Sequence, residues 1–456
     1  MISTWFILLA FTLLWIRRNR NKASQKLPPG PYPLPIIGNI HKLGKRPHIS
    51  LASLAQVYGP IMRLKLGCMT TIVISSSSTA RQVLRKQDVA FSNRPLPDAI
   101  RALDHNKYSA VWLPVGNLWR SLRKIMSTNM FTPNKLDSNQ HLRSQKVRDL
   151  IRYCEKCSQC GEAVDIGGAA FLTSLNLMSN TIFSKDMGIK RRLASNIEKL
   201  IKLFDVLIDD RLELKRRGNP DENTGTADLL DGLLKLLESH EIDKSVIQHM
   251  FVNLFGAGTD TTSSTVEWAL SEILRNSDTI LVKAKAELTQ VIGKGKIVEE
   301  VESPDLHYLR CIVKETLMLH PPAPFLEPRQ VQEEVELCGY SVPKNSQVLV
   351  NEWAIGRDPM TWKEPLLFQP ERFMESEIDV HGHDYELIPF GAGRRICPGM
   401  PLAMRMVPIM LGSLINCFEW KLEGGIAPED LNMEDKFGLT LAKLHPLRVV
   451  ASSVVP

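Results

Sequence analysis

The strongest constraint on this 456-residue chain is a short stretch near its end, PFGAGRRICPGM at 389–400. Two glycines precede Cys397 and one follows it, so the backbone there must turn tightly or let a bulky group come close. Arg394 and Arg395 lie just upstream and Pro398 breaks the chain just after. Arginines beside a thiol favour the thiolate, the form that binds metal. Such a loop reads as a cradle holding a sulfur anion against something large and negatively charged.

Composition leaves room for one large body around that loop. Hydrophobic residues make up 44% and charged residues 23%, an ordinary globular balance, and no repeat is visible. The net charge of +6 is too mild to argue for nucleic acid. Residues 60–75 alternate as a strand pair, 79 to about 217 is mostly helical, and helical periodicity resumes at 228–239, 244–275, 278–293 and 305–319. Extended segments return at 334–352 and near the end. The expected class is mainly α with a small β region.

At the other end, ISTWFILLAFTLLWI (2–16) precedes the basic run RRNRNK at 17–22. The apolar stretch gives ~22 Å of helix against a ~30 Å hydrocarbon core, a shortfall that Trp15 and the basic residues can cover by snorkelling. A cleaved signal peptide would carry its basic residues first, so 1–22 reads as a membrane anchor followed by a basic stop. Five prolines in LPPGPYPLPIIGN make 23–40 a stiff hinge, leaving 41–456 as the body. Eight cysteines in a cytosol-facing body stay reduced, and CEKCSQC at 154–160 reads as a helix end before a strand.

Two further segments carry chemistry. FGAGTDTTSS (255–264) places two glycines and several hydroxyls inside a long helix, which predicts a local opening where a small molecule sits. Asp260 and Thr261 at that point offer an acid and an alcohol for relaying protons; the plainer reading is a kinked packing helix. In WRSLRK, Trp119 and Arg123 share a helical face and could donate together to a carboxylate. Arg372, in FQPERF, has no obvious local partner.

Together these stretches resemble the cytochrome P-450 monooxygenases over nearly the whole chain, in the plant microsomal branch of terpenoid hydroxylases. FGAGRRICPG is similar to the haem-ligand loop, with Phe390, Gly393, Arg395, Cys397 and Gly399 in place; AGTDTT, WRSLR and PERF are similar to the family's oxygen-activating, haem-contacting and meander motifs. The resemblance implies haem b, with Cys397 as the thiolate ligand of its iron. It implies that Arg395, Trp119, Arg123 and Arg329 pair with the haem propionates. Thr261 would hydrogen-bond dioxygen and Asp260 would help deliver protons. Electrons would come from NADPH through a reductase in the endoplasmic reticulum membrane, and the substrate would be a small apolar terpenoid such as a monoterpenol.

Three departures stand against that pattern. KETLMLHPP keeps Glu315 but has Met318 where the family has arginine, leaving Arg372 as the remaining partner and predicting impaired haem incorporation. Near Met187–Gly188 a few dozen residues that roof the substrate pocket in the family are missing, so the fold is expected to lack part of its roof helices. Glu327, in PFLEPR, places a carboxylate where the family lines its pocket with an apolar residue. A catalytically silent relative is therefore the alternative to a working hydroxylase. A haem-thiolate isomerase fits less well, having no use for Asp260 and Thr261.

Overall fold

The computed structural model describes residues 27–187, 196–217 and 228–454. The expected anchor at 1–22 lies outside them. From Leu27 the proline-rich segment is docked on the body. Arg63 donates its amide to the Pro29 carbonyl at 2.7 Å, and the Lys65 amide donates to the Asn39 side chain at 2.8 Å. Gly30 and Gly38 permit this approach, since a Cβ on either would lie 1.9 or 2.0 Å from the carbonyl oxygen of Arg63 or Lys65.

The alternating stretch closes as a hairpin, Ile61–Leu66 against Met69–Ile74, with Ile61 opposite Ile74. Met69–Ile74 pairs in parallel with Gln347–Val350, whose other edge carries Arg329–Gln330. This long-range pairing brings the 320–329 loop to one end of the helical body. A second sheet joins Ala163–Asp165, Arg448–Ser453 and Phe418–Leu422. The rest is helical, as the periodicity predicts.

The core lies where helices Gln140–Cys160, Ile166–Phe183, Lys244–Arg275, His307–Leu319 and Met400–Cys417 meet. Met400–Cys417 is long and apolar enough to cross a membrane, but most of it is buried inside the protein, so it is a core helix. Cys154 and Cys157 turn into the core while Cys160 is exposed, so the CEKCSQC thiols do not converge.

Lys244–Arg275 runs as one unbroken helix, and the opening expected at Gly256–Gly258 is not there. The hydroxyls that could have broken it turn back on it. Thr259, Thr261, Thr262 and Thr265 donate to carbonyls four residues earlier at 2.7, 2.6, 3.0 and 2.9 Å. Gly258 serves packing: a Cβ there would sit 3.4 Å from the Met178 Sδ of Ile166–Phe183. Nearby, Phe183, Phe204, Phe251 and Phe255 form an aromatic cluster with centroids 5.1–6.2 Å apart. Phe204 belongs to Ile197–Arg216, so part of a roof packs on the start of the long helix. Residues 188–195, where the roof segment is expected to be missing, lie outside the described residues.

Candidate functional site

The Cys397 loop is locked from both sides. Gly391 and Gly393 both adopt φ +69°, where a side chain would be strained, and a Cβ on Gly393 would lie 2.0 Å from the Leu84 carbonyl oxygen. The Cys397 amide donates to the Phe390 carbonyl at 2.9 Å. Immediately beyond, Gly399 caps Met400–Cys417, whose first amides have no partner within the helix. Two of them, on Gly399 and Met400, hydrogen-bond the sulfur. Burial pushes the thiol pKa up, while those amides and the Arg123 guanidinium pull it down. The expectation that Arg394 and Arg395 steady the thiolate is not met. Arg394 pairs with Asp88 at 2.9 Å, and Arg395 donates to the carbonyls of Ser92, Val111 and Leu113.

Cys397 is exposed to a cavity of about 300 Å³. Across it runs a stripe of the long helix at helical spacing: Asn253, Ala257, Thr261 and Thr265, with Leu254, Gly258 and Thr262 beside them. Thr261 lines the cavity. Asp260 does not: it falls off that stripe and is half-buried. Phe390, Gly399, Trp119, Arg123, Arg329 and Arg395 all line the cavity, whereas Gly393 acts through its turn. Trp119 and Arg123 do share a face but have no joint carboxylate among the described residues. The indole donates to the Ala110 carbonyl at 3.1 Å, and Arg123 donates to the Ile396 carbonyl at 2.8 Å. Phe437 lies off the cavity and stacks on His48.

One edge of the cavity is unusually cationic. Arg94, Arg329 and Arg395 are buried there with Arg123 beside them, and each donates to backbone carbonyls. Among the described residues none of the four hydrogen-bonds a carboxylate. Burial, and for Arg329 and Arg395 repulsion by their arginine neighbours, lowers Arg94 to about 10 and the other two to about 9. The Trp119 ring lies 5.1 Å from the Arg395 guanidinium, a partial counterweight. Buried cations that hydrogen-bond no carboxylate mark a site for an anionic group. Arg94 went unrecognised in the sequence, where FSNRP reads as an ordinary turn.

Away from the cavity, Glu315 is fully buried and pairs directly with Arg372, Nε to Oε2 at 2.8 Å. The Gln369 amide also donates to Glu315 at 2.8 Å. Arg372 donates to the carbonyls of Lys363, Glu364 and Leu367 as well, which ties the PERF turn to His307–Leu319. Burial outweighs these partners and raises the Glu315 carboxyl to about 7. Met318 is 1% exposed, one turn along in the same core.

Comparison with known proteins bears on this arrangement. The family description Cytochrome P450 matches residues 28–214 and 192–446. The chain belongs to the cytochrome P450 family. It is 55% identical to a geraniol 8-hydroxylase from Swertia mussotii, over 95% of this chain and 94% of the relative. A geraniol 8-hydroxylase from Catharanthus roseus is 53% identical, over 98% of both chains, and a geranylhydroquinone 3''-hydroxylase from Arnebia euchroma 49%, over 94% of both. The cytochrome P450 fold, an oxidoreductase lineage and a thiolate-ligated haem iron follow from membership, as do a redox partner, dioxygen and a hydrophobic substrate. The residues here fit that cofactor: a thiol and a helix stripe line one cavity with buried guanidiniums that hydrogen-bond no carboxylate among the described residues and could take the haem carboxylates.

Proposed function

We propose that this P450 hydroxylates a monoterpenol such as geraniol at an unactivated carbon, drawing electrons from NADPH through a membrane-bound reductase. Haem, when bound, supplies the activation of dioxygen that places one oxygen atom in a C–H bond. Cys397 would be its thiolate ligand, with Arg123 and the amides of Gly399 and Met400 favouring the charged form against the burial that raises the thiol pKa. Arg395, Arg329 and Arg123 would neutralise its propionates, and the Trp119 ring lies 5.1 Å from Arg395 and 5.9 Å from Arg123. Thr261 offers its hydroxyl to dioxygen on the cavity side of the long helix, in place of the Ala257 carbonyl it now serves. Asp260, one residue back and off the stripe, resupplies the proton from behind. The apolar walls keep water from the reacting carbon. The observation that carries this reading is that Cys397 and Thr261 line one largely apolar cavity.

The N-terminal anchor and an endoplasmic-reticulum location belong to the same proposal. In support, Tyr32, Ile36 and Ile40 lie exposed where the described chain begins. Incubating microsomes that contain the protein and a plant reductase with geraniol and NADPH should give a hydroxylated geraniol by mass spectrometry. Haem-replete protein that yields none would contradict the substrate. Glu315, raised to about 7 beside a single arginine, favours one second reading, a relative that holds haem weakly and turns over little.

A further inference from the structure

We propose that Glu327 is a hydroxyl anchor: its carboxylate receives the O–H of an alcohol whose apolar chain fills the cavity. This deepens the proposed reading and rests on it for the cavity being the substrate site. Glu327 is the one carboxylate among the described cavity-lining residues, which are otherwise mostly aliphatic or aromatic apart from the arginines and helix hydroxyls. Its backbone is firmly held. Arg94 donates through Nη1 to the carbonyls of Glu327 and Pro328, and through Nε to that of Val111 at 3.3 Å, so one guanidinium joins two cavity walls at this residue. Leu326 just before it adopts φ +50°, a conformation a leucine accepts only when its surroundings impose it.

The Glu327 carboxylate is exposed and attracted by the Arg94 charge, yet no described residue hydrogen-bonds it. It therefore has open acceptor sites beside an apolar cavity, where a ligand donor would be bound well. The Arg94 guanidinium beside this carboxylate, which has no propionate assigned to it, disfavours an ammonium, and that leaves a neutral donor, a hydroxyl. Thr262 and Thr265 donate to helix carbonyls and Trp119 to Ala110, while the neutral Ser174 hydroxyl and Asn253 amide nitrogen, which line the cavity without partners among the described residues, are weaker acceptors than a carboxylate or no acceptor at all. An alcohol anchored here would present its distal carbons, rather than its hydroxyl, to the rest of the cavity.

The test is equilibrium dialysis of haem-loaded protein with geraniol, geranyl methyl ether, 1-decanol and 1-methoxydecane, on the natural protein and on Glu327→Leu and Glu327→Gln. One hydrogen bond to a charged acceptor predicts that each alcohol binds about tenfold tighter than its ether. Glu327→Leu should erase that ratio. Glu327→Gln, of the same shape, should reduce it, and covers the case in which the leucine variant misfolds. An alcohol-to-ether ratio absent from the natural protein, or unchanged in both variants, overturns the anchor. So does a ratio unchanged while haem content rises, which would set Glu327 against the haem carboxylates instead. A Glu327-dependent preference for 1-decanol with no geraniol binding sinks the monoterpenol reading and leaves the anchor standing.

Discussion

Two buried carboxyls decide how comfortably this chain folds. Glu315 is held at about 7, above its ordinary 4.5, because burial outweighs Arg372 and the Gln369 amide. The folded state thus binds the proton more tightly than the unfolded one. Stability falls as pH rises from about 4.5 through about 7, by about 3 kcal/mol in all. Met318→Arg, one helical turn away, should favour the carboxylate and flatten that slope, raising both haem occupancy and the melting temperature at pH 7.5 relative to pH 5. Equal occupancy and parallel melting curves in the two proteins would contradict this. Glu352 is worse placed. It is 3% exposed, neither oxygen has a hydrogen-bond partner among the described residues, and burial raises its pKa well above 4.5. Removing the acid should stabilise the fold. We expect Glu352→Val to melt higher than the natural protein, with a larger gain at pH 8 than at pH 5; a lower melting temperature at both would mean a missed partner. Glu315 and its pairing with Arg372 were legible from KETLMLHPP and PERF. Glu352 was not, because an acid in a helix's first turn is ordinarily a favourable, exposed one.

At the scale of elements, the long helix is where sequence and structure part. Two glycines among five hydroxyl residues predicted a breach, yet the helix continues from Lys244 to Arg275. Propensity lost to packing: neighbouring helices bury most of its length, and the hydroxyls satisfy themselves on carbonyls of their own helix. Gly256 then carries no special conformation, and a Cβ there meets nothing within 4 Å. Gly256→Ala should stabilise the protein by about 0.5–1 kcal/mol, read from chemical denaturation. A loss would restore the breach. Gly393→Ala should do the reverse, since its Cβ would meet the Leu84 carbonyl at 2.0 Å and its φ is +69°. Reduced haem content with the helical signal retained is the expected outcome. The glycines of the Cys397 loop were legible because positive φ leaves a compositional mark. The partners of Arg394 and Arg395 were not, because a guanidinium can reach carbonyls far away in sequence, as Arg395 does to Ser92.

For the molecule as a whole, order of motifs fixed the family, while the cationic edge emerged only in three dimensions. Arg94, Arg329 and Arg395 are separated by up to some three hundred positions and meet through the parallel pairing of Met69–Ile74 with Gln347–Val350 and the loops beside it. No local pattern encodes that. The expected gap in the roof has independent support. Alignments to the two geraniol hydroxylases run to 474 and 490 positions against a chain of 456, so some of each relative falls opposite no residue here. The family match also comes in two pieces that overlap at 192–214, beside the place where the gap was expected. The central claim is that the remaining body still seats haem on Cys397. Its most direct test is the CO difference spectrum of the dithionite-reduced recombinant protein in microsomes. A thiolate-type Soret band, lost in Cys397→Ala, is the predicted result. No band, or a band that survives the substitution, would contradict it.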